Sequence, residues 1–337
     1  MADIELSDEL RIETREAWQR YVDLLAPFRP ELHRYCRRLT GNVWDAEDLL
    51  QDTLLRGFAT LACVHSKVDN PRGYLVRIAT RLWIDWKRRS DVERDHAAVA
   101  AIAKEPSSPA PRPWGVEARH AAARLIERLP HQERAALVLK DVFEMSLRDI
   151  AATLGTTLGA VKAALHRGRG RLRSPEPAPV ARALPSPALV DRFVELLAAG
   201  DLKGLLALML DHGTVEMPGS LVENGRRQFE RTGSWFWQSV HVHPELPAAL
   251  RPQKWSSERG TFEGEPVMLS FSLQDGRKRL MAVTRFEQHG GRLARVRAYC
   301  YSPETVREVG DALGLEVGAV PYRFQGSAGR KGRVGKR

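Results

Sequence analysis

At 337 residues the chain is too long for one small domain and predicts two or three. Its 43% hydrophobic content can fill real cores, yet no apolar run reaches the roughly 18 residues needed to span a bilayer. The net charge of +10 favours a polyanionic partner, either nucleic acid or an acidic membrane surface.

The acidic opening, MADIELSDELRIE, lacks the basic-then-apolar order of a secretory leader. Cys36, Cys63 and Cys300 are scattered and form no CxxC or zinc spacing. Reduced thiols in the cytoplasm are therefore expected, with no metal and no cofactor. Residues 1–26 predict an amphipathic helix packing through Trp18, Tyr21, Val22 and Leu25. From Pro30 a second helix runs through Leu32, Tyr35, Cys36 and Leu39 until Gly41-Asn42 ends it. Asp45 is expected to cap a third, with Asp48 at the capping-box position and Ala46, Leu49, Leu50, Thr53, Leu54 and Phe58 facing inward. Its outer face is expected to carry Glu47, Asp48, Gln51 and Asp52, an acidic patch in a basic chain. Acids near a helix start suit the helix dipole on a solvated face; a functional role needs a basic partner. After Asn70, Pro71–Ser90 predicts a helix burying Tyr74, Leu75, Ile78, Leu82 and Trp86. Arg77, Arg81, Lys87, Arg88 and Arg89 supply charge and Trp83 an interleaved ring, a mixture suited to nucleic acid. Tryptophan serves equally well as core, the reading preferred for Trp86.

Glu105–Trp114, EPSSPAPRPW, is stiffened by proline and predicts an extended connector. Ser146–Arg173 then reads as two helices around a tight turn. Leu147, Ile150, Ala151 and Leu154 make the apolar stripe of the first. Ser146 caps it, Asp149 completes a capping box, and Gly155 ends it. Thr156 or Thr157 caps the second, whose seam is Leu158, Val161, Leu165 and Leu172. Lys162, His166, Arg167, Arg169 and Arg173 remain on its outer faces. This is the pattern of a helix-turn-helix, which lays its second helix in the DNA major groove. A surface hairpin with a solvated basic face is the competing reading, and Gly168 and Gly170 each weaken the helix by roughly 1 kcal/mol. Base edges would be read near the helix start, by Thr157, Lys162 and His166.

Three blocks carry a resemblance: DAEDLLQDTLLRGFATL, then NPRGYLVRIATRLWIDWKRR, then LPHQERAALVLKDVFEMSLRDIAATLGTTLGAVKAALHRGRGRLR. In that order they resemble regions two and four of bacterial RNA polymerase sigma factors of the extracytoplasmic-function group. The likeness covers residues 15–92 and 120–173. It implies a promoter-specificity subunit whose partners are RNA polymerase core and promoter DNA, with no membrane and no covalent chemistry. By resemblance, Asp48, Leu49, Gln51 and Asp52 dock on the coiled coil of the polymerase clamp. The Pro71–Arg89 helix and the loop before it would meet the −10 element as single strand. The helix-turn-helix would read the −35 element as duplex, with Arg167 and Arg169 joining the DNA contacts. Gly168 and Gly170 depart from the family pattern, where relatives tend to carry Ala.

Ser174–Pro187 forms a second proline-rich connector. Beyond it, Leu189, Phe193, Leu196 and Leu197 predict a helix, Gly200-Asp201 a turn, and Leu202–Leu210 another helix. Strands are expected near Trp255–Phe262, Val267–Leu273, Leu280–Phe286 and Leu293–Tyr301, with glycine turns between them. Helices followed by a meander give an α+β layering. DRFVELLAAGDLKGLLALMLDHGTVEMPG resembles the SnoaL-like, polyketide-cyclase-like cone, a curved sheet over helices with a pocket inside. The candidate pocket residues are Glu216, Trp235, Trp237, His241 and Tyr299, with His243 and Glu263 beside them. His241 and His243 share a strand face but lack a third ligand at metal-site spacing, and no acid/base dyad declares itself. A fused extension of this kind resembles a sigma-factor subgroup in which it modulates activity in cis. A pocket that binds or turns over a small-molecule ligand is the alternative. The expected fold class is multidomain: two all-α helical domains, the second a helix-turn-helix, then an α+β SnoaL-like cone. The expected boundaries are domain 1–92, linker 93–115, domain 116–173, linker 174–187, domain 188–315 and a basic tail 316–337.

Overall fold

In the computed structural model the residues described are 8–63, 68, 70–100, 129–142, 144–171, 184–225, 255–274 and 276–322. They fall in two units, Met1–Ala181 and Arg182–Arg337.

The regular elements described in the first unit are all helical: α1 (Asp8–Leu25), a 3-10 turn (Ala26–Phe28), α2 (Arg29–Thr40), α3 (Val43–Cys63) and α4 (Pro71–Ala100). It continues with α5 (His131–Leu137), a π-helical turn (Val138–Val142), α6 (Leu147–Leu154) and α7 (Leu158–Arg171). Asn42, and not Asp45, opens α3: its Oδ1 accepts from the Asp45 backbone N–H at 2.8 Å, while its Nδ2 donates to Asp45 Oδ2 at 2.8 Å. The cap lies three residues earlier than the acidic pattern suggests because Asn42 directly follows the left-handed Gly41 that ends α2. Asn70 does the same for α4, accepting from the Gly73 N–H at 2.9 Å with Pro71 next to it.

Packing follows the expected inner faces of α1, α2 and α3. Tyr21, Val22, Leu25, Leu32, Tyr35, Cys36, Leu39, Ala46, Leu49, Leu50 and Leu54 are all buried. Trp18, Tyr21 and Phe58 form a ring cluster with centroids 5.2–5.7 Å apart. The buried face of α4 departs from the expected one. Leu75, Val76, Ala79, Trp83 and Ile84 are buried, whereas Tyr74, Ile78, Leu82 and Trp86 are only half-buried. The helix packs against α2 and α3 and also against α5 and α6, so more than one of its faces is covered. Trp83 is therefore core, and its expected role as an exposed ring for unstacked bases is corrected.

The helix-turn-helix forms as expected. Ser146 Oγ accepts from the Asp149 N–H at 3.1 Å and donates to Asp149 Oδ2 at 2.6 Å. Gly155 ends α6 at φ 62°, where a side chain would be strained. Thr157 caps α7, accepting from the Ala160 N–H at 3.1 Å. Val161, Ala164 and Leu165 are buried, but Leu158 is exposed, a correction to the expected seam. Leu158 sits at the first position of α7, ahead of the turn that packs on its neighbours. Leu172 and Arg173 lie outside the described residues.

In the second unit, α8 (Pro187–Ala199) and α9 (Leu202–Leu208) precede β1 (Met209–Met217) and β2 (Leu221–Asn224). Then come β3 (Trp255–Phe262), β4 (Glu265–Gln274), β5 (Arg277–His289), β6 (Arg292–Tyr299) and α10 (Pro303–Leu313). The sheet runs β2-β1-β6-β5-β4-β3. All neighbours are antiparallel except β1 and β6, which pair in parallel with Val215 opposite Val296. Gly290 and Gly291, at φ 58° and 78°, make the tight β5–β6 turn. One sheet face, with Val215, Met217, Met268, Phe286, Val296 and Ala298, packs on Val190, Phe193, Leu197 and Leu205. Helices layered on this sheet give the expected α+β class. The strand β1 replaces the end of the predicted Leu202–Leu210 helix, its pairing with β6 being a contact no local pattern reveals. Residues after 315 are not all tail: the Leu280 backbone bonds to Glu316 and Gly318, where β6 leaves the β5 edge open.

Candidate functional site

The acidic face of α3 is narrower than the sequence suggests. Asp52 is exposed, Asp48 and Gln51 are half-buried, and Glu47 and Leu49 are each 0% exposed. Leu49 therefore cannot touch a partner, and its expected docking role is corrected: at that position on α3 the side chain points into the α2–α3 core. Glu47 is corrected from the outer face to the interior. Its carboxylate accepts from Arg29 Nη2 at 2.7 Å and from Gln51 Nε2 at 2.6 Å, and lies 3.9 Å from His33 Nε2. Burial pushes this carboxyl up, but Arg29, His33 and the donated bonds outweigh burial and hold it below its ordinary value. Of the expected patch, Asp48, Gln51 and Asp52 keep some surface exposure, and Leu55, 59% exposed, follows one turn later.

The α4 surface is cationic. Arg77, Arg81, Arg88 and Arg89 are exposed on the sides of the helix away from Trp83, while Lys87, one turn after Trp83 on the same side, is half-buried. Arg88 lies 4.0 Å from Asp85, a contact of little energy between two exposed side chains.

On α7 the cations divide into two groups. Lys162 and His166 are exposed with Thr157 near the helix start. Arg167 Nε donates to Glu133 Oε1 at 2.9 Å and Arg171 Nη1 to Glu133 Oε2 at 2.8 Å. Arg169 Nη2 donates to Asp141 Oδ1 at 2.6 Å. The second half of α7 is thus tied to α5 and the π-helical turn, and Arg167 and Arg169 are brought to carboxylates. Gly168 faces α5 so closely that a Cβ there would lie 2.7 Å from Leu137 Cδ1. A side chain there would require the end of Leu137 to shift. Glu133 and Asp141 were not legible as partners, lying 28 or more residues away; only the i,i+4 spacing of Arg167 and Arg171 hinted at a shared anchor.

A further residue that the sequence pattern concealed is Arg134. Its Nη1 donates to the Leu39 carbonyl at 2.7 Å, and its guanidinium lies 5.2 Å from the Trp83 ring centroid. It is buried, and it fastens α5 to α2 and α4.

In the second unit, Glu216 is held by Arg297 Nε at 2.6 Å and Arg295 Nε at 3.2 Å. Tyr299 is fully buried. Trp235, Trp237, His241 and His243 lie outside the described residues. Glu263 is exposed in the β3–β4 turn at φ 50°. No described helix is long and apolar enough to cross a membrane.

Comparison with known proteins matches residues 24–92 to Sigma-70 region 2 and residues 119–172 to Sigma-70, region 4. The chain is 35% identical over 154 residues to the ECF RNA polymerase sigma factor SigE of Mycolicibacterium smegmatis, covering 45% of this chain and 59% of SigE. It therefore spans less than two thirds of that relative. To the ECF RNA polymerase sigma factor SigW of Bacillus subtilis it is 30% identical over 166 residues, covering 45% of this chain and 87% of SigW. Among solved structures, it aligns with the Mycobacterium tuberculosis extracytoplasmic function sigma factor SigJ at a TM-score of 0.32 and 21% identity. That alignment covers 82% of this chain and 95% of SigJ.

Proposed function

The chain belongs to the extracytoplasmic-function (ECF) RNA polymerase sigma factors, and on that premise we propose that it directs RNA polymerase core to specific promoters. One observation carries the reading: a single helical unit holds an acidic ridge on α3 together with cationic faces on α4 and α7. A protein that only bound DNA would have no use for the ridge, which would repel phosphate. In this account Asp48, Gln51 and Asp52 engage the polymerase in the cytoplasm. Arg77, Arg81, Lys87, Arg88 and Arg89 attract the single-stranded −10 element. Thr157, Lys162 and His166 read the −35 duplex, while Arg167 acts chiefly through α5 and Arg169 through the π-helical turn, keeping α7 in place. Cations on phosphate supply affinity, and base edges supply choice. The chain performs no covalent chemistry in this role.

The unit Arg182–Arg337 modulates this activity in cis. A second reading of that unit has its own observation. Ser272 Oγ is fully buried, on the strand face shared with Met268, without a hydrogen-bond partner among the described residues. A small polar molecule seated there would satisfy it, and ligand-dependent thermal stabilisation would reveal such a molecule.

The sigma reading is tested by mixing the purified chain with RNA polymerase core at low ionic strength and following co-elution. A stable complex that Asp52→Lys weakens is the expected result. A tight duplex gel shift without polymerase, and no association with core, would replace it with a conventional helix-turn-helix regulator.

A further inference from the structure

Two acidic side chains flank an amide on the α3 ridge, and the amide is tethered from below. Glu47 and Gln51 stand four residues apart on α3, on one helix face. Glu47 is wholly buried, and one of its oxygens, Oε1, receives both Arg29 Nη2 at 2.7 Å and Gln51 Nε2 at 2.6 Å. An ionised carboxylate can only accept, so the Gln51 amide must turn its nitrogen inward. With the nitrogen held on Glu47, the carbonyl oxygen is the group of this amide left to face elsewhere, and Asp48 and Asp52 stand three residues before and one after Gln51 on α3.

We infer that Glu47 is a positioning residue: it locks the Gln51 amide so that Asp48, Gln51 and Asp52 present a continuous row of hydrogen-bond acceptors, fitted to a partner helix rich in arginine and lysine. This rests on the proposed docking of the ridge on polymerase. Left untethered, the Gln51 amide would as readily offer donors to a donor-rich surface, and each mismatch forfeits a bond. Stability alone is a poor reason for the network, because an apolar cluster of the same shape generally serves a core as well as a buried ion pair. Its location directly beneath the ridge supplies the reason.

The test measures the affinity of the full-length chain for RNA polymerase core by fluorescence titration at fixed salt, with thermal melts run in parallel. Asp52→Lys is the reference for the docking reading: if it leaves affinity unchanged, that reading fails, whatever Glu47 does. With the reference weakened, Glu47→Gln is expected to weaken binding about five- to tenfold, the size of one hydrogen bond lost or reversed. The double variant Glu47→Gln with Gln51→Glu is expected to return to within about twofold of the original. In it, the new amide at position 47 accepts from Arg29 and donates to the new carboxylate at position 51, which turns an acceptor outward. Unchanged affinity for Glu47→Gln, or a double variant as weak as the single, overturns the inference. If Glu47→Gln does not fold, Gln51→Asn decides: its shorter amide cannot reach Glu47, so the same loss is expected, and unaltered affinity overturns the tether.

Discussion

Replacing Arg134 with alanine tests how the two helical halves of the first unit are joined. The substitution removes a charge-assisted bond to the Leu39 carbonyl at 2.7 Å and a desolvated cation–π contact with the guanidinium 5.2 Å from the Trp83 ring centroid. The first contributes about 1.5–3 kcal/mol and the second about 0.5–2 kcal/mol. Together they put the cost near 3 kcal/mol, a large share of the 5–15 kcal/mol typical of a domain. Because 1.36 kcal/mol is a factor of ten, amides of α5 and of α4 around Trp83 should exchange about a hundredfold faster. Hydrogen exchange measured by mass spectrometry on the intact chain reads this directly, with peptides of the Arg182–Arg337 unit as internal reference. Exchange in α5 and α4 unchanged by Arg134→Ala would refute the view that this side chain fastens the halves together.

Other consequences can be measured independently. Gly168→Ala gains about 1 kcal/mol of helix propensity but forces a Cβ to 2.7 Å from Leu137 Cδ1, which costs about 1–3 kcal/mol; denaturation should show no gain, or a loss of up to about 2 kcal/mol. Lys162→Ala should lower the salt slope of promoter binding by about 0.9, one phosphate contact, whereas Arg167→Ala should leave the slope nearly intact and loosen α7 on α5, read by its amide exchange. Since the folded Glu47 carboxyl titrates below its unfolded value, its stabilisation is complete above that value and is lost as pH falls through the folded one. Glu47→Gln should accordingly flatten the acid limb of Tm against pH. Truncation after Ala181 should change transcript yield without changing promoter choice; equal yield from both forms would remove the regulatory role of the second unit.

The organisation of the helix-turn-helix could be read almost completely from sequence, because caps and turns are local. Ser146, Asp149, Gly155 and Thr157 act within a few residues of themselves. The same holds for the four strands bounded by glycine turns. What escaped the sequence depended on contacts between distant segments. Trp83 reads as an interleaved ring until α5 is laid over it. Arg134 reads as one more surface cation until it meets Leu39, 95 positions away. Glu47 shares its carboxyl type with Asp48 and Asp52, and only the arrival of Arg29 from α2 makes its burial tolerable. Likewise Met209 and Leu210 read as the end of a helix, and pairing of β1 with a parallel partner 81 positions on gives them strand form. Charge type was legible at the ridge; which charges face out was not.

The central claim, that this chain confers promoter recognition on the polymerase, is tested most directly by run-off transcription with purified RNA polymerase core on genomic promoter fragments. The account predicts transcripts from a defined set of start sites when the chain is added, none from core alone, and loss of those transcripts with Asp52→Lys. Transcription that is the same with and without the chain would contradict it.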